Sequence, residues 1–270
     1  MGIVGLVRGG RQLRGVVFVC GVLLMLCPVR ANAGSISSPA VIAPLVHALS
    51  SEPFGSKVAL LMDGGLRQKW LTLEEKIEQE NRTLEACRDD RAHCSSPEAL
   101  QFLAIIDSAA SRDGLARLGE VNRAINLAIR PGSDLANYGV EDYWSPPLAT
   151  LAKGSGDCED YAIAKFVALR NAGVAADDLR LVIVRDVARA EDHAVVAARL
   201  EDHWVMLDNR RMIMPRDTDF AGYRPTFVIS ESGVGAVRPD TTTPGPAPVP
   251  ASDMVVASIA FTMLGFDAAD

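Results

Sequence analysis

Gly154-Ser155-Gly156-Asp157-Cys158-Glu159-Asp160-Tyr161-Ala162-Ile163-Ala164-Lys165-Phe166 is the stretch on which the reading of this chain turns. Gly154 and Gly156 allow backbone conformations ahead of Cys158 that a side chain would forbid. From Cys158 to about Ala172 the residues Tyr161, Ala162, Lys165, Phe166 and Leu169 fit a helix, and Gly173 stands at its stop position. A thiol therefore falls in the first turn of a helix. Unpaired N–H groups and the positive end of the helix dipole there favour the thiolate over the thiol.

Upstream of this stretch the pattern is helical. Trp70, Leu73, Ile77 and Leu84 predict a helix from Leu66 to about Arg91, Pro97–Ser108 predicts a second, and Asp113 caps a third. That third helix carries Leu115, Leu118, Val121, Ile125 and Ile129 on one stripe and stops before the breaker pair Pro131-Gly132. Downstream the period changes to that of strands: Leu179–Asp186, His193–Leu200, Trp204–Asp208 and Thr226–Ser230. Helices first and strands afterwards imply an α+β fold, with helices packed on an antiparallel sheet.

The chain has 270 residues, about half of them hydrophobic, enough for one domain with a sizeable core. Arg8, Arg11 and Arg14 precede an apolar run from Gly15 to Cys27, and Ala31-Asn32-Ala33 offers a cleavage pattern, so residues 1–33 read as a signal peptide of an exported, periplasmic protein. The run is shorter than the roughly 20 residues of a spanning helix. Residues 34–65 read as an amino-terminal arm, 66–238 as the domain, and 239–270 as a Pro-rich linker and tail. Those first 33 residues hold four arginines and no acid, so their removal takes the formal net charge from −7 to −11. Such a balance argues against a nucleic-acid partner, which needs clustered Lys and Arg.

Of five cysteines, Cys87, Cys94 and Cys158 survive that cleavage. In an oxidising compartment Cys87 and Cys94 are expected to close a small loop and leave Cys158 free. Three reduced cysteines, or a metal cluster using His93 beside Cys94, are the alternatives at this point.

A nucleophilic thiol needs a base, and the base needs a partner that fixes its tautomer. His193 opens one predicted strand and Asp208 closes the next. If these strands form a hairpin with an even-length loop, with Arg199 facing Asp202, then His193 faces Asp208 across the ladder. The bland reading of each residue alone is a satisfied core histidine, a turn-forming acid and an inert buried thiol; their conjunction favours a Cys158, His193, Asp208 triad. His47, His93 and His203 read as structural.

Gly156-Asp157-Cys158-Glu159-Asp160-Tyr161-Ala162-Ile163-Ala164-Lys165, then Asp192-His193-Ala194-Val195, then Val205-Met206-Leu207-Asp208-Asn209 together resemble the bacterial transglutaminase-like cysteine peptidases, the LapG-type periplasmic proteases among them. The resemblance spans about Asp142 to Ser230. It implies a papain-like, transglutaminase-like core, endoproteolysis of a surface or adhesin protein through a thioester, a calcium requirement and a membrane receptor that sequesters the enzyme. Asp157, Glu159 and Asp160 supply a physical rationale for calcium, because carboxylates beside a thiol oppose the thiolate unless a cation offsets them. Plain capping of the helix is the alternative for these acids. Trp144 reads as core packing beside the cleft, and the Cys158 N–H as one oxyanion donor. Two other functions stay open: amide transfer on the same triad, and a non-catalytic module that binds calcium or a partner.

Overall fold

The computed structural model describes residues 52–238. The segment read as a signal peptide, most of that read as an arm, the Pro-rich linker and the closing apolar run lie outside the described residues. Within them, six helices run in chain order: α1 (Gly65–Asp89), α2 (Pro97–Ala110), α3 (Gly114–Ala128), α4 (Asp134–Tyr138), α5 (Pro147–Lys153) and α6 (Cys158–Asn171). The strands are β1 (Lys57–Leu60), β2 (Arg130–Pro131), β3 (Ser155–Gly156), β4 (Leu179–Asp186), β5 (Glu191–Leu200), β6 (His203–Leu207), β7 (Tyr223–Ser230) and β8 (Gly233–Arg238). Six of them form one antiparallel sheet in the order β1-β8-β7-β4-β5-β6. The fold is α+β, as the change of period predicts, and none of the described helices is long and apolar enough to cross a membrane.

Two-residue alternation divides the sheet between two cores. Leu179, Leu181, Ala194, Val196, Ala198, Val205 and Leu207 join the large core with the helices. Val182, Val184, Val195, Ala197, Trp204 and Met206 join a smaller core on the other face, closed by Phe220. Helix α6 is the central element: every residue from Asp160 to Leu169 is buried, so it has no solvent face and its apolar content runs all round. Helix α3 keeps Leu118, Val121 and Ile125 inward, whereas Leu115, in its first turn, is 53% exposed. Cys87 at the end of α1 is bonded to Cys94, and Cys158 is the free cysteine.

Four strands escape the sequence pattern: the two-residue β2 and β3, and the edge pair β1 and β8. Lys57–Leu60, within the segment read as an arm, pairs with β8 at the sheet edge. Strand β8 opens Gly-Val-Gly, and Gly235 is needed there, since a Cβ on it would stand 2.1 Å from Val58 Cγ1. The β5–β6 hairpin also corrects the expected register. Its loop is even, Glu201-Asp202, with Glu201 at φ 58°, but Arg199 pairs with Trp204 and Leu200 with His203. A shift of two preserves parity. His193 and Asp208 therefore stay on one face as diagonal neighbours instead of a directly opposed pair.

Candidate active site

The sheet brings His193 and Asp208 into contact. β6 ends at Leu207, opposite Val196, so the chain turns away at Asp208 while β5 runs on past it to His193. Both side chains share the parity of the smaller core and both are buried. His193 Nε2–H donates to Asp208 Oδ1 at 2.9 Å, and the Arg210 N–H donates to the same oxygen at 3.0 Å. This leaves the imidazole Nδ1 buried with no hydrogen-bond partner among the described residues. Burial alone would push the Asp208 carboxyl up; the hydrogen bonds from His193 and Arg210 and the charges of His193 and Arg211 outweigh it and hold Asp208 below the usual carboxylate range.

Cys158 is the first residue of α6 and is partly buried. The Ala194 backbone N–H faces its sulfur, which places the thiol beside the residue that follows His193. The thiol itself donates to Glu159 Oε2 at 2.9 Å, and no hydrogen bond joins Cys158 to His193 among the described residues. Burial first, then the charge and hydrogen bond of Glu159, push the thiol well above its ordinary range, against the pull of the Ala194 N–H.

The acidic residues of the motif divide between two tasks. Asp157 and Asp160, three apart at the start of α6, lie on one side of it, whereas Glu159 is turned toward the thiol. The third carboxylate of the cluster is Asp134: one oxygen of each of Asp134, Asp157 and Asp160 lies within 4.8 Å of the others. Asp134 arrives through the short parallel pair β2–β3, in which Gly132 N–H donates to Gly156 O at 2.9 Å, and through the Asn137 amide donating to Ser155 O at 3.3 Å. Of the expected set Asp157, Glu159, Asp160, the structure brings Asp157 and Asp160 together with Asp134 and leaves Glu159 at the thiol. The sequence signal for Asp134 is slight, an acid opening a one-turn helix after Pro131-Gly132, 23 residues before Asp157.

The cluster has the character of a hard-cation site. Asp134 Oδ2 accepts from the Tyr143 N–H and Asp160 Oδ1 from the Ser145 N–H, while Asp134 Oδ1, Asp157 Oδ1 and Asp160 Oδ2 are buried without any partner among the described residues. Burial, then the surrounding negative charges, push the three carboxyls up to about 6, 7 and 8 for Asp134, Asp157 and Asp160. Three neighbouring carboxylates, each with a buried orphan oxygen, fit an oxygen-coordinated ion such as calcium. Gly156 makes room for this, since a Cβ there would stand 2.6 Å from Asp160 Oδ2. Trp144 is 5% exposed and packs edge-on against Trp70, as core packing predicts.

No curated protein matches the chain. Among solved structures it is similar to Legionella pneumophila LapG, at 21% identity over 58% of this chain and 86% of that one, with a TM-score of 0.48. The calcium-bound form of that protein matches at 20% identity over 63% and 93%, TM-score 0.48, and a TGase at 12% over 65% and 49%, TM-score 0.31. The family model of the bacterial transglutaminase-like cysteine proteinases matches residues 75–227. That match covers more than half of the sequence and contains the thiol, imidazole and carboxylate just described, and so the chain belongs to the bacterial transglutaminase-like cysteine proteinases and is a cysteine peptidase.

Proposed function

We propose that the protein is an exported endopeptidase working through a thioester, with Cys158 as nucleophile, His193 as base and Asp208 as the residue that orients the base. The observation that carries this reading is the pairing of a buried His193–Asp208 contact of 2.9 Å with a sulfur that lies against the very next residue, Ala194. With Nε2–H committed to Asp208, the unpartnered Nδ1 is the basic nitrogen available to a thiol. His193 takes the Cys158 proton, the thiolate attacks a peptide carbonyl, the amine leaves with the proton, and water hydrolyses the thioester. Asp208 holds the imidazole and stabilises its charged form. The Cys158 N–H, free at the helix start, is one oxyanion donor.

Calcium is the cation proposed for Asp134, Asp157 and Asp160. When bound it supplies positive charge one residue from the thiol, which lessens the carboxylate field that opposes the thiolate. The setting we propose is the periplasm, the substrate a surface protein of the adhesin kind, and the regulator a membrane receptor that sequesters the enzyme. What supports these three is the family resemblance together with the amino-terminal sequence pattern.

Calcium-loaded protein incubated with the cells' surface-protein fraction is expected to release defined fragments, and the Cys158→Ala variant to release none while keeping its fold. Cleavage retained in that variant refutes the assignment. An added primary amine, followed by product mass spectrometry, separates hydrolysis from amide transfer.

A further inference from the structure

One charged side chain from outside the motifs reaches the Asp208 carboxylate. Arg211 Nε forms an ion pair with Asp208 Oδ2 at 3.2 Å but lacks hydrogen-bond geometry, so Oδ2 is buried with no hydrogen-bond partner among the described residues, whereas Oδ1 of the same carboxylate receives His193 and the Arg210 N–H. Arg211 is itself held at both ends. Its carbonyl accepts from Asn122 Nδ2 at 3.3 Å and from Asn126 Nδ2 at 3.4 Å, and Asn126 Nδ2 also donates to the Asp208 carbonyl at 3.0 Å. Its guanidinium lies 5.0 Å from the centre of the Phe220 ring and 5.7 Å from that of Tyr223, and Nη2 donates to the Tyr223 hydroxyl at 3.3 Å. Tyr223 in turn stacks on Phe220 at 4.2 Å and stands 6.1 Å from the His193 ring.

A buried carboxylate that orients an imidazole must be fixed in rotation as well as kept ionised. The charged groups facing Asp208 are His193 from β5, Lys165 from α6, and Arg210 and Arg211 from the segment after β6; α3 contributes the neutral Asn126. Lys165 acts on it through charge, and Arg210 through its backbone. Arg211 is the cation within ion-pair distance of Oδ2 among the described residues. A guanidinium stacked on two rings is a rigid, permanently charged partner.

We propose that Arg211 is a positioning residue for the peptidase reaction: by holding Oδ2 it sets the Asp208 carboxylate so that Oδ1 meets His193 Nε2–H, which fixes the tautomer with a free Nδ1. The inference rests on the reading that Asp208 orients His193. Its test is the Nε2 proton of His193 in 1H–15N spectra of the protein labelled with 15N-histidine, identified by its loss in His193→Gln. The wild type is expected to show a downfield, slowly exchanging proton. Arg211→Ala and Arg211→Gln should speed its exchange with solvent by at least about tenfold, as the loss of a charge-assisted contact does, and Arg211→Lys should recover part of the protection. Exchange within about twofold of wild type in Arg211→Ala, with Asp208→Ala abolishing the signal, overturns the role of Arg211 and leaves that of Asp208 standing. A signal that survives Asp208→Ala instead sinks the reading of Asp208. Because the Arg211 side chain is 41% exposed, thermal unfolding should change little; loss of the fold in both the Ala and the Gln variant overturns the positioning role in favour of a structural one.

Discussion

At the level of single residues, Glu159 is the one whose placement changes most between sequence and structure. Read as an acid of the helix start, it is a candidate cation ligand; folded, it accepts the Cys158 thiol proton. The sequence cannot show this, because Asp157, Glu159 and Asp160 fall within one turn at the helix start and only packing decides which meets the sulfur. Burial is the first cause of the raised thiol and Glu159 the second, so Glu159→Gln should lower the thiol without returning it to the ordinary range. In chelator-treated protein at pH 8, alkylation of Cys158 by iodoacetamide, followed by peptide mass, is expected to quicken roughly tenfold, the equivalent of one pKa unit. An unchanged or slower rate means that Glu159 does not hold the proton. The meeting of His193 with Asp208 and the place of Cys158 at the start of α6 were legible for a different reason: a nucleophilic thiol calls for a base and a polar partner for that base, and the helix and strand periods put each of the three at the end of an element.

Among the elements, the junction of β2, β3 and α6 shows why the cation cluster was half legible. Asp157 and Asp160 lie in the motif, but Asp134 joins them only because Arg130–Pro131 pairs with Ser155–Gly156, a two-residue ladder too short to leave a periodic trace. Shortness also hid β1, at four residues, whereas in β8 Gly233 and Gly235 take side chains out of the alternation. The ladder brings Gly156 against Asp160 so closely that a methyl group on Gly156 would lie 2.7 Å from Asp160 Cβ, and Gly156→Ala must therefore displace that ligand. Calorimetry of the variant should show calcium affinity reduced about 10- to 100-fold, the range for groups that orient metal ligands; wild-type affinity would remove Asp160 from the site. The β5–β6 register was legible in parity but not in offset, since parity follows from an even loop and the offset from which two residues form the turn.

For the whole molecule, the cluster ties stability to pH and, on the function proposed above, to calcium. Carboxyls raised to about 6, 7 and 8 from 3.8 bind more protons in the folded chain than in the unfolded one between about pH 4 and 8. Stability of the calcium-free protein should therefore fall as pH rises through that window. Calcium competes with those protons and stabilises the form that holds it, so its stabilising effect should grow over the same window. Thermal unfolding at pH 5, 6.5 and 8, with calcium or with chelator, checks both trends, and a calcium shift that shrinks as pH rises is the contrary result. Helices α1, α2, α3 and α6 and the central strands were legible because each is long enough to show its period, whereas α4 and α5, at five and seven residues, were not. The central position of α6 was less so, because burial on every side erases the amphipathic stripe that orients a helix in a sequence.

The antiparallel pairing of Lys57 with Arg238 sets the first residue of β1 against the last of β8. Across such a ladder two backbones run about 5 Å apart, so the described chain is almost a closed loop. A circular permutant that bridges Arg238 to Lys57 with a few glycines and begins instead at Asp113, in the exposed turn between α2 and α3, should fold and keep Cys158-dependent hydrolysis. Where the chain starts is then a matter of synthesis order alone, and the strands at the sheet's far edge stay joined whichever bond is left open.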